Sequence, residues 1–133
     1  WRDLQNILAL SWHPSHGDSF YLYNEDGIEP EAVGLGVMVE NGHCSYLPGN
    51  RWILNDTYPD AEGRQHPYLY HIANGKRYPL GHFVTGPQYQ GEWRCDLHPR
   101  FSPDGRLVTI DSNHGGQGRQ IYLIDISDIV DKE

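Results

Sequence analysis

The chain has 133 residues, of which 38% are hydrophobic, and it carries 10 Lys and Arg against 18 Asp and Glu. The formal charge of −8 argues against a nucleic-acid partner, because binding to phosphates requires a basic face. It also argues against a polybasic membrane anchor, and no apolar run reaches the roughly 20 residues that a spanning helix needs. The first residues show no signal-peptide pattern and the cysteines number only two, so the sequence predicts a soluble domain without indicating its compartment.

Turn residues and apolar stretches alternate from the start of the chain. Fifteen Gly, nine Pro and nine Tyr beside a single Met favour an all-β fold rich in turns. In the first module, residues 1–41, we expect three strands, at Ile7-Leu8, Phe20–Tyr23 and Ala32–Leu35. A preceding strand is missing from this module, since Trp1–Asp3 stands where that strand should end.

The second module, residues 42–90, contains the full set of four expected strands. The turn tripeptide Pro48-Gly49-Asn50 separates the first two, and Asn74-Gly75 is a good hairpin turn between the last two. The expected strands are about His43–Leu47, Trp52–Leu54, Tyr68–Ile72 and Arg77–Phe83.

The third module, residues 91–127, contains three expected strands and then stops. The first surrounds Asp96–His98, and the others are Leu107–Ile110 and Tyr122–Ile126, with the turn Pro103-Asp104-Gly105 before the second. An acidic tail, 128–133, takes the place of a fourth strand.

An internal repeat links these modules and predicts the architecture. Residues 43–57 match residues 98–112 at a constant offset of 55, so that His43 falls on His98 and Asp56 on Asp111. Four antiparallel strands repeated every 45–55 residues or so are typical of a β-propeller blade. Because three blades cannot close a ring, we expect the C-terminal part of a larger propeller whose last strand comes from its N-terminus. Assembly of several copies into one ring is the alternative.

The repeat also brings candidate metal ligands together. Asp96 and His98 are two residues apart, so on an extended strand they project to one side with their Cα atoms about 7 Å apart. His43 occupies the same position in the neighbouring blade. Two imidazoles and a carboxylate with open coordination positions suit Mn²⁺, Fe²⁺ or Zn²⁺. In the alternative interpretation, both histidines only bond to neighbouring carbonyl groups of the inner strands.

Other polar residues are candidates for ligand contacts. Arg94 and Arg100 flank the Asp96–His98 pair and are predicted to bind a carboxylate of the substrate, unless strand alternation turns them away. His114, in the loop of the last blade, is predicted to contact the substrate or to lie in solvent. A second histidine-rich segment, His13–Asp18, is either a metal clip or an ordinary turn.

Two stretches of the third module resemble known families. The hexapeptide Phe101–Arg106 resembles the turn of the TolB-type (PD40, WD40-like) propeller repeat that is common in bacterial proteins. The longer stretch Trp93–Gly105, followed by Arg119–Ile126, is similar to the last blade of oligogalacturonate lyases. These are seven-bladed propellers that use a divalent metal, typically Mn²⁺. The resemblance implies that His98 and His43 are metal ligands, although the family has His where this chain has Asp96 and Gln where it has Trp93.

The resemblance implies metal-assisted β-elimination of uronate-containing oligosaccharides, with His43, Asp96 and His98 holding Mn²⁺ and an acidic oligosaccharide as the ligand. The cation would stabilise the enolate-like charge that forms when the C5 proton leaves. No catalytic base can be assigned from the sequence. The alternative is a non-catalytic TolB-like propeller that binds a protein, peptide or glycan, and a third interpretation is a lyase fold that has lost the reaction.

Overall fold

Three antiparallel sheets follow one another along the chain in a computed structural model that describes residues 1–132. The first sheet has the strand order β1-β2-β3, formed by β1 (Asn6–His13), β2 (Gly17–Asn24) and β3 (Glu31–Val33). The β1 and β2 strands pair along their whole lengths, from Asn6 opposite Asn24 to His13 opposite Gly17. Gly17 turns this hairpin with a φ of 66°, a conformation that glycine adopts without steric cost.

The second sheet has four strands in the order β4-β5-β7-β8. The chain from 45 to 84 forms β4 (Ser45–Tyr46), β5 (Trp52–Asn55), β6 (Arg64–Gln65), β7 (Tyr68–His71), β8 (Lys76–Pro79) and β9 (Phe83–Val84). The short strands β6 and β9 pair with each other and form a separate ladder. The strand expected over Arg77–Phe83 is therefore divided, because its second part pairs with the loop between β5 and β7 instead of with β7.

The third sheet has the order β10-β11-β12, formed by β10 (Arg100–Phe101), β11 (Leu107–Ser112) and β12 (Gln120–Asp125). The segment expected as an acidic tail begins with a helical turn, α1 (Ser127–Val130). The turn forms because Ile126 and Val130, four residues apart, both pack into the apolar core. Within residues 1–132 no helix is long and apolar enough to cross a membrane.

The repeat in the sequence is also a repeat in hydrogen bonding. In the second sheet the Leu47 amide donates to the Trp52 carbonyl, at 2.9 Å. In the third sheet the Ser102 amide donates to the Leu107 carbonyl, also at 2.9 Å and 55 residues later. The equivalent positions Asn50 and Gly105, also 55 residues apart, hold positive φ values of 56° and 70° in these two turns. The same turn chemistry thus starts the second strand of both sheets.

Two apolar cores lie between consecutive sheets. One joins the first and second sheets through Leu8, Phe20, Leu22, Met38, Tyr46, Ile53, Tyr68 and Tyr70. The other joins the second and third sheets and α1 through Leu47, Trp52, Leu54, Leu69, Leu97, Val108, Ile110, Ile126 and Val130. The stacked antiparallel sheets confirm the prediction of an all-β chain organised in blade-like units.

The turn between β10 and β11 contains a carboxylate, Asp104, whose contribution to stability depends on pH. The Ser102 hydroxyl and the Arg106 amide both donate to Oδ1 of Asp104. These bonds, the first above all, lower the pKa of Asp104 from its ordinary 3.8. A lowered pKa in the folded state contributes stability above the ordinary pKa, and this contribution is lost as the pH falls through the folded pKa.

We therefore expect Asp104→Ala to lower the melting temperature of the protein at neutral pH, and the difference from wild type to shrink as the pH falls below the ordinary carboxyl pKa of 3.8. Thermal unfolding across this pH range measures the effect. Asp26→Ala is the control, because the exposed Asp26 carboxylate accepts no hydrogen bond within residues 1–132. A difference that stays constant with pH would contradict the role given to the Asp104 carboxylate.

Candidate metal and ligand site

Three side chains with metal-ligating atoms meet beside the second core. One such atom from each of His43, Asp96 and His98 lies within 4.8 Å of the other two. Within residues 1–132, no other group of three His, Cys, Asp or Glu side chains meets this criterion. The structure thus brings the predicted metal ligands together, while their binding of a metal remains a prediction.

The backbone conformation around Asp96 and His98 differs from the predicted extended strand. Asp96 and His98 lie in an irregular segment before β10 and not on an extended strand. His98 has a φ of 40°, in the left-handed region, although it is not glycine and precedes Pro99. The Asp111 amide donates to the carbonyl of the fully buried Leu97 at 2.8 Å and anchors the segment. A strained conformation held by its surroundings in this way is a feature of functional sites.

Asp56 orients the His43 imidazole. The carboxylate of Asp56, which is 1% exposed, accepts the backbone N–H of His43 at 2.6 Å. Both its oxygens lie 3.1 Å from Nδ1 of His43. A Cβ atom on Gly42 would lie 1.9 Å from the Asp56 carbonyl oxygen, so only glycine allows this approach. With Nδ1–H donated to the carboxylate, Nε2 of His43 is left to face a ligand.

The same pairing recurs, in a looser form, 55 residues later. Nδ1 of His98 lies 3.9 Å from Asp111, which forms a second ion pair with Arg100 at 3.1 Å. The imidazole rings of His98 and His43 meet edge to face with their centroids 4.3 Å apart. The side chain of His98 is 49% exposed, whereas that of His43 is 33% exposed. The two histidines therefore occupy equivalent blade positions but differ in how tightly a carboxylate holds them.

Asp96 supplies the observation that points to a cation. It is 6% exposed, and its Oδ2 accepts a hydrogen bond from Nε of Arg94 at 2.9 Å. Its Oδ1 is buried and has no hydrogen-bond partner among residues 1–132. A buried carboxylate oxygen without a partner costs free energy, and a cation beside it would remove that cost. Ligands of one ion lie about 3–4 Å apart, so small side-chain movements would close the cluster on a metal.

A cavity of about 560 Å³ opens beside this cluster. The lining includes Arg94, Asp96, His98, Asp111, Arg119 and Gln120. The guanidinium of Arg94 also lies over the ring of Tyr58, 5.2 Å from its centroid. This volume is in the range of small-molecule sites in proteins, and the lining combines carboxylates, guanidinium groups and an imidazole.

The predicted ligand-binding residues are distributed unequally around this cavity. Arg94 lines it, paired with Asp96, while Arg100 is not in the lining and pairs with Asp111. His114 is exposed and also outside the lining; its Nδ1 lies 2.8 Å from the Ser112 hydroxyl. The His114 ring lies against Phe83 and Tyr122, with centroids 4.9 and 4.2 Å away. Contacts of all three residues with a substrate remain predictions.

The other histidine-rich segment has its own local partners. Nδ1 of His13 lies 2.8 Å from the Ser15 hydroxyl, and Nε2 lies 3.2 Å from Glu29. The segment closes the β1–β2 hairpin. The structure thus favours the turn interpretation, since residues 13–18 contain no metal cluster among the described residues.

Sequence reasoning did not assign Asp56, Asp111 or Arg119 to the site. The two aspartates carry a signal that could have found them, because each follows its histidine by thirteen residues: His43 to Asp56, and His98 to Asp111. Arg119 carries no such signal, since it reaches the cavity from the loop before β12 only through the pairing of β11 with β12.

The sheets and the repeated site define a propeller-type fold, and comparison with solved structures identifies its class. The chain is similar to TolB from Acinetobacter baumannii, with a TM-score of 0.62, 20% identity, and coverage of 93% of this chain and 28% of that one. It is also similar to a TolB-type protein from Agrobacterium tumefaciens, with a TM-score of 0.65, 18% identity, and coverage of 94% and 40%. No protein-family model matches the chain, and neither does any curated protein sequence.

These comparisons show the fold alone: the chain has a TolB-like β-propeller fold and spans well under half the length of the two proteins it resembles. The predicted partial propeller and the TolB-type character of the repeat are confirmed. The resemblance to oligogalacturonate lyases gains no support from them, and neither do the carbohydrate and metal assignments that depended on it.

The two His–Asp pairs provide a matched test of how tightly the site is held. We expect Asp56→Ala to lower the free energy of unfolding by about 1–3 kcal/mol, because the His43 amide and Nδ1 lose their acceptor in a buried place. Asp111→Ala, at the equivalent position where the side chain is 29% exposed, should cost less than half as much. Denaturant unfolding of both variants measures the difference, and equal losses would show that Asp56 holds His43 no more tightly than Asp111 holds His98.

Proposed function

We propose that this chain is part of a TolB-like propeller that binds a carboxylate-bearing ligand, without turnover, in the cavity beside His43, Asp96 and His98. The Oδ1 of Asp96 is the observation that carries the proposal, because a cation beside this buried oxygen would supply the partner that it lacks among residues 1–132. The TolB-like fold supports a binding role better than a lyase role.

In this proposal a divalent cation is held by His43, Asp96 and His98. Two nitrogen ligands and one oxygen ligand suit Mn²⁺, Fe²⁺ or Zn²⁺ and leave positions open for a ligand carboxylate. Asp56 would orient His43 from outside the coordination sphere, as carboxylates commonly do for ligating histidines. The cation would also offset the local carboxylates and the chain's charge of −8, which otherwise repel an anion.

An acidic oligosaccharide is the ligand class we propose. Two aromatic side chains lie next to arginines of the cavity wall: Tyr58 lies under Arg94, and Trp93, 72% exposed in the 3-10 turn Gly91–Trp93, accepts a hydrogen bond from Arg119 through its carbonyl oxygen. Exposed rings beside guanidinium groups suit stacking on a sugar while the carboxylate is bound by charge. A protein or peptide with acidic side chains is the alternative ligand.

Removal of one metal ligand tests the proposal. Intact wild-type protein should retain about one equivalent of Mn, Fe or Zn after dialysis, or take up Mn²⁺ in a calorimetric titration, and His98→Asn should lose it. Asparagine tolerates the left-handed backbone at position 98, so the variant should fold. The control is His16→Asn, in the exposed β1–β2 turn. Absence of metal from wild type, and no uptake on titration, would overturn the cation site.

The second candidate function is metal-assisted β-elimination on a uronate. The open coordination positions of the three-ligand cluster favour it, because a cation at the sugar carboxylate would acidify the neighbouring C5 proton. The non-catalytic proposal is the stronger of the two, because the similarity to TolB-type structures supports it and no comparison supports the lyase.

Product formation separates the two candidates. Under the binding proposal, Mn²⁺-loaded wild type should bind trigalacturonate in calorimetry but should not generate the ultraviolet absorbance of an unsaturated uronate product. An absorbance increase that His98→Asn abolishes and His16→Asn retains would instead establish the lyase. The folded state of each variant is checked by circular dichroism.

A further inference from the structure

The arginines near the cavity differ in whether a carboxylate neutralises them. Arg94 pairs with Asp96 at 2.9 Å and Arg100 with Asp111 at 3.1 Å. Ion pairs also occupy the arginines outside the site, namely Arg2, Arg64, Arg77 and Arg106. Within residues 1–132, only Arg51 and Arg119 have no carboxylate within ion-pair distance, and of these two only Arg119 lines the cavity.

Arg119 is held in place without losing its charge or most of its donors. One Nη donates to the carbonyl oxygen of Trp93, and the guanidinium lies over the ring of Tyr89, 5.5 Å from its centroid. A guanidinium has five N–H donors in a planar fork, and the described residues provide an acceptor for one of the five. The remaining donors are therefore free to bind an external acceptor.

We infer that Arg119 binds the carboxylate of the ligand and determines the preference for charged over neutral ligands, an inference that rests on the proposed function. A free guanidinium fork matches a carboxylate bidentately, whereas Arg94 and Arg100 have to break an existing ion pair before they bind one. In a chain with 18 Asp and Glu, an arginine left without a carboxylate on a cavity wall is a notable exception.

The position of Arg119 explains how it reaches the ligand. It immediately precedes β12, whose Gln120 pairs with Ser112 and whose Ile121 pairs with Asp111 at the end of β11. Asp111 in turn lies beside His98, so the pairing of β11 with β12 places Arg119 on the cavity that Asp96 and His98 also line. A ligand in the cavity therefore meets the metal ligands and the free guanidinium together.

A competing explanation is that Arg119 contacts a neighbouring blade. Among the described residues 1–132, β12 pairs only with β11, and its Ile121 and Leu123 are 73% and 65% exposed. A carboxylate from an adjacent sheet on this face would then be the partner of Arg119. In that case the arginine would contribute to stability and not to ligand selection.

The test compares two ligands across matched variants of the intact protein with Mn²⁺ present. The probes are trigalacturonate and its carboxyl-reduced, neutral counterpart, measured by titration calorimetry. Arg119→Gln should weaken trigalacturonate binding about tenfold or more, the loss expected for a hydrogen bond to a charged group, and leave the neutral probe unchanged. The trigalacturonate affinity of Arg119→Lys should lie between those of wild type and Arg119→Gln, because lysine keeps the positive charge but lacks the planar fork of N–H donors. The control is Arg51→Gln, which removes the other unpaired arginine away from the cavity and should change neither affinity.

Each result bears on a different claim. Trigalacturonate binding by wild type that Arg119→Gln leaves intact would overturn the role of Arg119 and retain the proposed function. Equal weakening of both probes, with a lowered melting temperature, would identify Arg119 as an inter-blade contact and also overturn the inference. Failure of the wild type to bind trigalacturonate, in protein that has taken up Mn²⁺, would overturn the acidic-oligosaccharide proposal and the inference with it.

Discussion

The second sheet is buried on both faces, and the rest of the structure depends on this constraint. Side chains alternate along β5, so Trp52 and Leu54 enter the core shared with the third sheet while Ile53 enters the core shared with the first. All four residues of β5 and all four of β7 are buried. Full burial of each large apolar side chain contributes about 1.5–3 kcal/mol to the stability of the fold. Separation of either neighbouring sheet from the second sheet would expose one of the two cores and lose this contribution.

The candidate site is a consequence of this stacking. Because the second and third sheets repeat one sequence pattern and pack face to face, equivalent positions come together, and the rings of His43 and His98 meet. Each histidine pairs with an aspartate thirteen residues later, Asp56 just after β5 and Asp111 within β11. The two copies then differ: Asp56 is buried and serves His43, while Asp111 is shared with Arg100. The repeated His–Asp pair thus forms an asymmetric site, in which His43 is held firmly by its aspartate and His98 is more accessible.

Charge distribution gives the site its chemical character. Among residues 1–132, Oδ1 of Asp96 has no hydrogen-bond partner and the guanidinium of Arg119 has no carboxylate within ion-pair distance, and both residues line the same cavity. A ligand carboxylate would satisfy both, by coordinating the cation and by bonding the guanidinium. The TolB-like fold supplies the platform for this arrangement but does not itself specify a ligand, since a propeller fold is compatible with many functions.

The sequence by itself determined the all-β class, the repeat, the turns and the convergence of His43, Asp96 and His98, because a constant offset of 55 residues puts equivalent positions side by side in stacked blades. It did not determine the left-handed backbone of His98, the division of the strand expected at Arg77–Phe83, or the helical turn at Ser127–Val130. Nor did it show that Arg94 and Arg100 are neutralised while Arg119 is free. These features depend on which side chains from distant segments meet after packing, and neither local pattern nor composition records such long-range contacts.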